Sequence, residues 1–163
     1  MVSKVLAWKA AHAEEASALW NEINSHNHRV AETFGMLQQC DPARFDECAA
    51  LPAAQWEQQG GSEGKLLHQL REAFVGSRRG LKRMGELAGV PIEPDEQTEL
   101  CDASMQAPGV VVCGVPGAGG QDAVVAVVIG SAAPLQQLWQ GWKKATVLAM
   151  LVRENPRGLV VDH

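Results

Sequence analysis

The sequence predicts an α+β fold, with long helices laid over one face of an antiparallel sheet. Three observations predict it. Apolar side chains recur at intervals of three and four over most of the first 88 residues, short Val-rich runs replace that period after Gln106, and a glycine loop joins two of those runs. At 163 residues, 46% of them hydrophobic and 20% charged, the chain is sized for a single domain, residues 1–163, with its own core. A boundary inside it is not expected, because the early helices need the late sheet to cover their apolar stripes.

The first helical stripe is Ala16, Leu19, Ile23, His26, Val30, Phe34 and Leu37, and Asp41-Pro42 is expected to end it. A second, weaker helical segment follows over 43–59, interrupted at Pro52. Gly60-Gly61-Ser62 reads as a loop with Ser62 as the N-cap of a strong helix over 63–88. That helix carries Leu67, Leu70, Phe74, Ser77, Leu81, Met84 and Ala88, with Gly89 placed to stop it in the left-handed conformation. The run Val90-Pro91-Ile92-Glu93-Pro94 reads as extended chain.

Runs 109–115 and 123–129 read as two buried, adjacent antiparallel strands, with Leu67, Leu70, Phe74 and Leu81 packed on them. A short amphipathic helix is expected over 135–144, a third strand over 146–152 and a fourth over 159–161, after the turn Asn155-Pro156-Arg157-Gly158.

The net charge of −5 and the absence of a Lys/Arg stripe argue against nucleic acid, whose grip needs clustered cations. No apolar run reaches the roughly 20 residues of a membrane span. The start of the chain lacks a signal peptide's apolar core. Cys40, Cys48, Cys101 and Cys113 show no CxxC spacing and read as buried thiols, which points to the cytoplasm or another reducing compartment. The five histidines have no ligand spacing, and the five tryptophans read as packing residues.

The segment Gly114-Val115-Pro116-Gly117-Ala118-Gly119-Gly120-Gln121-Asp122-Ala123 carries the chemistry. Glycines permit positive φ and close approach, so such a loop can turn amide N–H groups toward an anion. It is neither GxxxxGK[ST] nor GxGxxG, so neither common nucleotide fingerprint is present. Taken alone it is also compatible with a plain hairpin turn.

Its strand–PGAGGxDA–strand setting resembles the third signature motif of GHMP kinases. Gly89-Val90-Pro91-Ile92-Glu93-Pro94, Gln97-Thr98, Leu100-Cys101-Asp102, Arg83-Met84-Gly85-Glu86-Leu87-Ala88 and the run from Val147 to Gly158 are similar to the phosphomevalonate kinase branch, in particular its plant members. Gln121 and Cys101 depart from that branch's usual residues, and Pro116 replaces a serine found in many bacterial members.

The resemblance implies the C-terminal domain of such a kinase, with a ferredoxin-like antiparallel sheet covered by long helices. It implies ATP-dependent phosphorylation of 5-phosphomevalonate to 5-diphosphomevalonate in isoprenoid synthesis, with this domain on the acceptor side. Gly117, Ala118, Gly119 and Gly120 are then expected to offer backbone contacts to the acceptor phosphate. Asp122 is expected to orient the loop by accepting its N–H groups, and Arg78 to reach a phosphate or else lie solvated on its helix face. No metal ligand or catalytic residue is expected in this chain. Mg-ATP would require the N-terminal domain, whose glycine- and serine-rich loop is absent from these residues. The isolated chain is accordingly expected to be inactive, and to bury an apolar surface near 116–121 against another protein chain or else be aggregation-prone alone. The other reading is a kinase-derived module kept for protein interaction.

Overall fold

The computed structural model describes residues 1–152, and among these it forms seven α-helices, one 3₁₀ turn and a two-stranded antiparallel sheet. Helix α1 (Val2–Ala11) meets α2 (Ala13–Leu37) at His12, whose φ of −131° interrupts the helical path. Helix α2 runs along α5 (Gly61–Ala88), the longest element. Two glycines of α5 allow the close approach. A Cβ on Gly76 would lie 2.2 Å from the His26 ring, and one on Gly80 would lie 2.5 Å from Ile23.

The inward stripe of α2 is Ala16, Leu19, Ile23, His26, Val30, Thr33 and Leu37, a strict three-four alternation. Phe34, expected inside, is 39% exposed, and Thr33 takes its place. The Thr33 hydroxyl donates to the Arg29 carbonyl at 2.7 Å, so its polar atom is satisfied within the helix and the rest of the side chain can be buried.

Helix α2 stops at Leu37, and Asp41-Pro42 begins the next helix, α3 (Pro42–Ala49). Asp41 Oδ1 accepts from the Ala43 amide at 3.0 Å, and Pro42 occupies the first turn, where its missing N–H costs nothing. A 3₁₀ turn (Ala53–Gln55) and the single-turn α4 (Trp56–Gln59) follow. They place Trp56 wholly inside, with Nε1 donating to the Cys48 carbonyl at 2.8 Å.

Helix α5 is preceded by Gly60, whereas the Ser62 hydroxyl donates to Glu63 and caps nothing. Its end is as expected. Gly89 is left-handed at φ 62°, and the Gly89 and Val90 amides return to the Glu86 and Gly85 carbonyls. The chain is then extended only to Pro94, because Asp95–Ser104 forms helix α6, which the sequence reading did not anticipate.

Strands β1 (Val110–Gly114) and β2 (Val125–Val128) pair antiparallel across the glycine loop, with a register irregularity between Val110 and Val112. Strand β1 is buried throughout. Val111 and Val112 pack with Trp56, Leu67 and Leu70, with Phe74 against them, while Val110 and Cys113 pack on the other side with Cys101, Met105 and Leu135. The expectation that β2 is also buried is corrected. It alternates exposed and half-buried residues, and Val125 and Val127 face solvent. Leu81 is corrected too, since it packs with Trp8, Leu19 and Ile23 instead of the sheet.

The bulge in β1 is held by Arg71 of α5. Its guanidinium donates to the carbonyls of Val110 (2.9 Å), Val111 (3.4 Å) and Met105 (2.5 Å). Burial lowers its pKa below the ordinary arginine value. The Met105 carbonyl lies at the C-terminal end of α6, where a cation is favoured.

Helix α7 (Ala133–Gln140) is shorter than expected and turns Leu135 inward. Residues 146–152, expected as a third strand, have no regular structure, and Leu148, Met150, Leu151 and Val152 are exposed. The expected fourth strand at 159–161 lies outside the described residues.

Candidate functional site

The glycine loop is folded down onto the segment that precedes α6. Gly117, Gly119 and Gly120 have φ of 64°, 89° and 119°. At Gly119 the reason is contact as well as conformation: a Cβ there would lie 2.3 Å from the Ile92 carbonyl oxygen. The Gly120 amide donates to that same oxygen at 3.0 Å. The Gly119 amide closes a turn onto the Pro116 carbonyl at 3.3 Å, and Gln97 Nε2 donates to the Gln121 carbonyl at 2.7 Å. By contrast, a side chain at Gly117 would meet open space.

Beneath this seat lies an ion-pair network anchored on α5. Arg78 is buried, at 7% exposure. It grips Glu93 through both carboxylate oxygens, Nη2 to Oε1 at 2.6 Å and Nε to Oε2 at 3.1 Å. Nη1 reaches Asp102 Oδ1 at 3.1 Å and the Met105 sulfur at 3.5 Å. Burial would lower the Arg78 pKa, but its hydrogen bond and charge attraction to Glu93 prevail, and the value stands above that of a free arginine. The expectation of a solvated helix-face arginine is therefore replaced by a buried, paired one.

One turn on, Lys82 Nζ donates to Asp95 (2.6 Å) and to Thr98 (2.9 Å), and the Thr98 hydroxyl donates to Glu93 Oε1 at 3.1 Å. Bonding to Asp95 raises the Lys82 pKa, and the same bond lowers that of Asp95. A cleft of about 270 Å³ opens beside the seat, lined by Lys82, Gly89, Ile92, Glu93 and Asp95 among others.

The expected site residues are thus partly assembled. Gly117 and Ala118 sit exposed at the loop tip, and Gly119 and Gly120 are half-buried against Ile92. Asp122 is exposed and accepts no loop amide among the described residues. Arg78 lies under the loop's first stem, with its Cδ 3.4 Å from where a Gly114 side chain would begin. Glu93, Gln97, Thr98 and Asp102 join the site in the structure, and each stands in the blocks that carry the family resemblance.

The large exposed apolar side chains do not gather at 116–121. Among the described residues they are Val125 and Val127 of β2, residues 148–152 and parts of α1 and α2. Under the strand, Trp139 Nε1 donates to Ser104 (2.8 Å) and Ser104 to the Leu100 carbonyl (2.7 Å). A hydrogen bond with Cys113, then burial, hold the neighbouring Cys101 thiol protonated, well above its ordinary pKa.

Among the described residues, no helix is long and apolar enough to cross a membrane. No group of three or more His, Cys, Asp and Glu side chains is placed among them to hold a metal ion.

No family model matches the chain, and no solved structure matches it significantly. Curated sequences do. The peroxisomal phosphomevalonate kinase of Arabidopsis thaliana is 34% identical over 174 aligned positions, covering 99% of this chain and 34% of that protein. The phosphomevalonate kinase of Gibberella zeae is 36% identical over 76% of this chain and 22% of its own length. That of Candida albicans is 31% identical over 79% of this chain and 27% of its own length. Related over nearly all of its residues to a stretch about a third as long as the Arabidopsis protein, the chain belongs to the phosphomevalonate kinase family.

Proposed function

We propose that this chain is the acceptor-side, C-terminal portion of a phosphomevalonate kinase, built on the GHMP-kinase C-terminal fold with its ferredoxin-like sheet. In that role it positions 5-phosphomevalonate for phosphorylation to 5-diphosphomevalonate. The observation that carries the reading is the sequence relationship across 99% of the chain, and the seated glycine loop gives it a physical form. Phosphoryl transfer asks a protein chiefly for alignment and charge stabilisation. The Gly119 and Gly120 amides are spent on holding the loop, whereas Gly117 and Ala118 lie at the exposed tip. In this reading the tip amides meet the acceptor phosphate, and Gly119 and Gly120 shape the loop beneath them.

Arg78 contributes by fixing Glu93 and hence the seat. Its side chain reaches a phosphate only by exchanging Asp102, the exposed one of its two carboxylate partners. ATP, its magnesium and the catalytic lysine belong in this reading to the part of the relatives that the chain does not span. No step of the donor side is assigned to these residues. The peroxisomal name of the Arabidopsis relative makes the peroxisome a compartment to examine beside the cytoplasm.

A chimera tests the reading. This chain would replace the matching segment of the Arabidopsis kinase, and ATP-dependent phosphorylation of phosphomevalonate would be followed. Activity is expected in the chimera and not in the chain alone. A chimera that folds and binds ATP but does not phosphorylate phosphomevalonate would overturn the proposal.

A further inference from the structure

The glycine loop has no covalent brace across its base, yet three independent contacts seat it. Two come from the backbone: the Gly120 amide on the Ile92 carbonyl, and the close approach of Gly119 to Ile92. The third is a side chain. Gln97, in the first turn of α6, extends Nε2 to the Gln121 carbonyl at 2.7 Å, across 24 residues of sequence. Its Oε1 is buried and has no hydrogen-bond partner among the described residues. A flipped amide would turn Oε1 toward another carbonyl oxygen, so the observed orientation is the one that can bond.

An unsatisfied buried acceptor is a cost, and the side chain is nevertheless held in place. The first turn of α6 is itself tied to α5, through Lys82 to Asp95 and Thr98, and Thr98 to Glu93. The route from the α5 cations to the loop is thus continuous: Lys82 fixes the helix start, the helix start carries Gln97, and Gln97 holds the loop at its exit.

We propose that Gln97 is a positioning residue that latches the glycine loop onto α6 and so sets the conformation of the tip amides at Gly117 and Ala118. The claim rests on the proposed acceptor role only for its functional consequence, since the latch itself is a property of this chain.

The experiment is amide hydrogen exchange on the 163-residue chain, read over 114–122 and, as an internal reference, over 67–80 of α5. Gln97→Glu is nearly isosteric and replaces the donor with oxygen, so it breaks the bond without opening a cavity. Gln121→Ala keeps the carbonyl and serves as a control. Gln97→Glu is expected to speed loop exchange about tenfold while leaving α5 unchanged, as losing one hydrogen bond in a local opening unit would. Gln121→Ala is expected to match the parent.

Loop exchange that stays at the parent rate in Gln97→Glu overturns the latch, as does faster exchange spread equally over α5. Titration with phosphomevalonate, followed at the Gly117 and Ala118 amide resonances, separates the two claims. A loosened loop with weakened binding supports both. A loosened loop in Gln97→Glu, with no phosphomevalonate response at the tip even in the parent chain, keeps the latch and removes the acceptor role.

Discussion

Glycines 117 and 119 share a sign of φ but not a reason for being glycine. At Gly119 any side chain would be driven into the Ile92 carbonyl, whereas at Gly117 only the left-handed backbone resists one. Gly119→Ala is therefore expected to cost about 2–4 kcal/mol, and Gly117→Ala about 1 kcal/mol. Urea unfolding of the two variants against the parent checks the ordering, and equal losses would refute the seat. Arg78→Met should be costlier still, about 3–5 kcal/mol, because it strands a buried Glu93 carboxylate. Adding Glu93→Gln should recover part of that loss.

Neither role was fully legible in the sequence. The loop's glycines announce positive φ, but which of them touches Ile92 depends on how β1 leaves the core. Arg78 gave no sign of burial, because its partners lie 15 and 24 residues away on chain that carries no helical or strand period of its own.

At the scale of elements, the pairing of α2 with α5 follows from small residues facing large ones. Gly80→Ala should push on Ile23 and cost about 1–3 kcal/mol, and Ile23→Val in the same chain should relieve part of it. Thermal melts of the two single variants and the double variant test this, and strict additivity would count against the contact.

The Lys82–Asp95 tie makes a pH prediction. Asp95 is depressed from 3.8, so its share is present above that pH and lost as pH falls through the lower folded value. Lys82 is raised from 10.5, so its share is complete below that pH and lost as pH rises through the higher folded value. The parent's stability margin over Lys82→Met should accordingly be small, level between these limits and lost progressively beyond them.

Helix α5 was readable from both its stripe and its glycine stop, and so was the β1–loop–β2 hairpin. Helix α6 was not, since the prolines at 91 and 94 suggested extended chain and its ten residues bury few apolar side chains. Residues 146–152 misled in the opposite direction. Strand composition states a preference, while a strand also needs a partner edge, and these residues have none among the described ones.

Across the whole molecule, three apolar clusters share one long helix, and the loop is carried at the end of the strand that two of them enclose. Cys48, Cys101 and Cys113 lie within that core, and Cys40 is the most accessible of the four thiols. A maleimide should therefore label Cys40 first in the native chain and the others only on unfolding, as peptide mapping would reveal.

Receipt of the acceptor phosphate at the loop tip is open to a ¹H–¹⁵N titration of this chain with 5-phosphomevalonate. Saturable shifts are expected, centred on the Gly117 and Ala118 amides, weakened in Gly119→Ala and unmatched by mevalonate lacking the phosphate. Shifts that leave those two amides unmoved while appearing elsewhere, or no saturable shift at millimolar ligand, would contradict it.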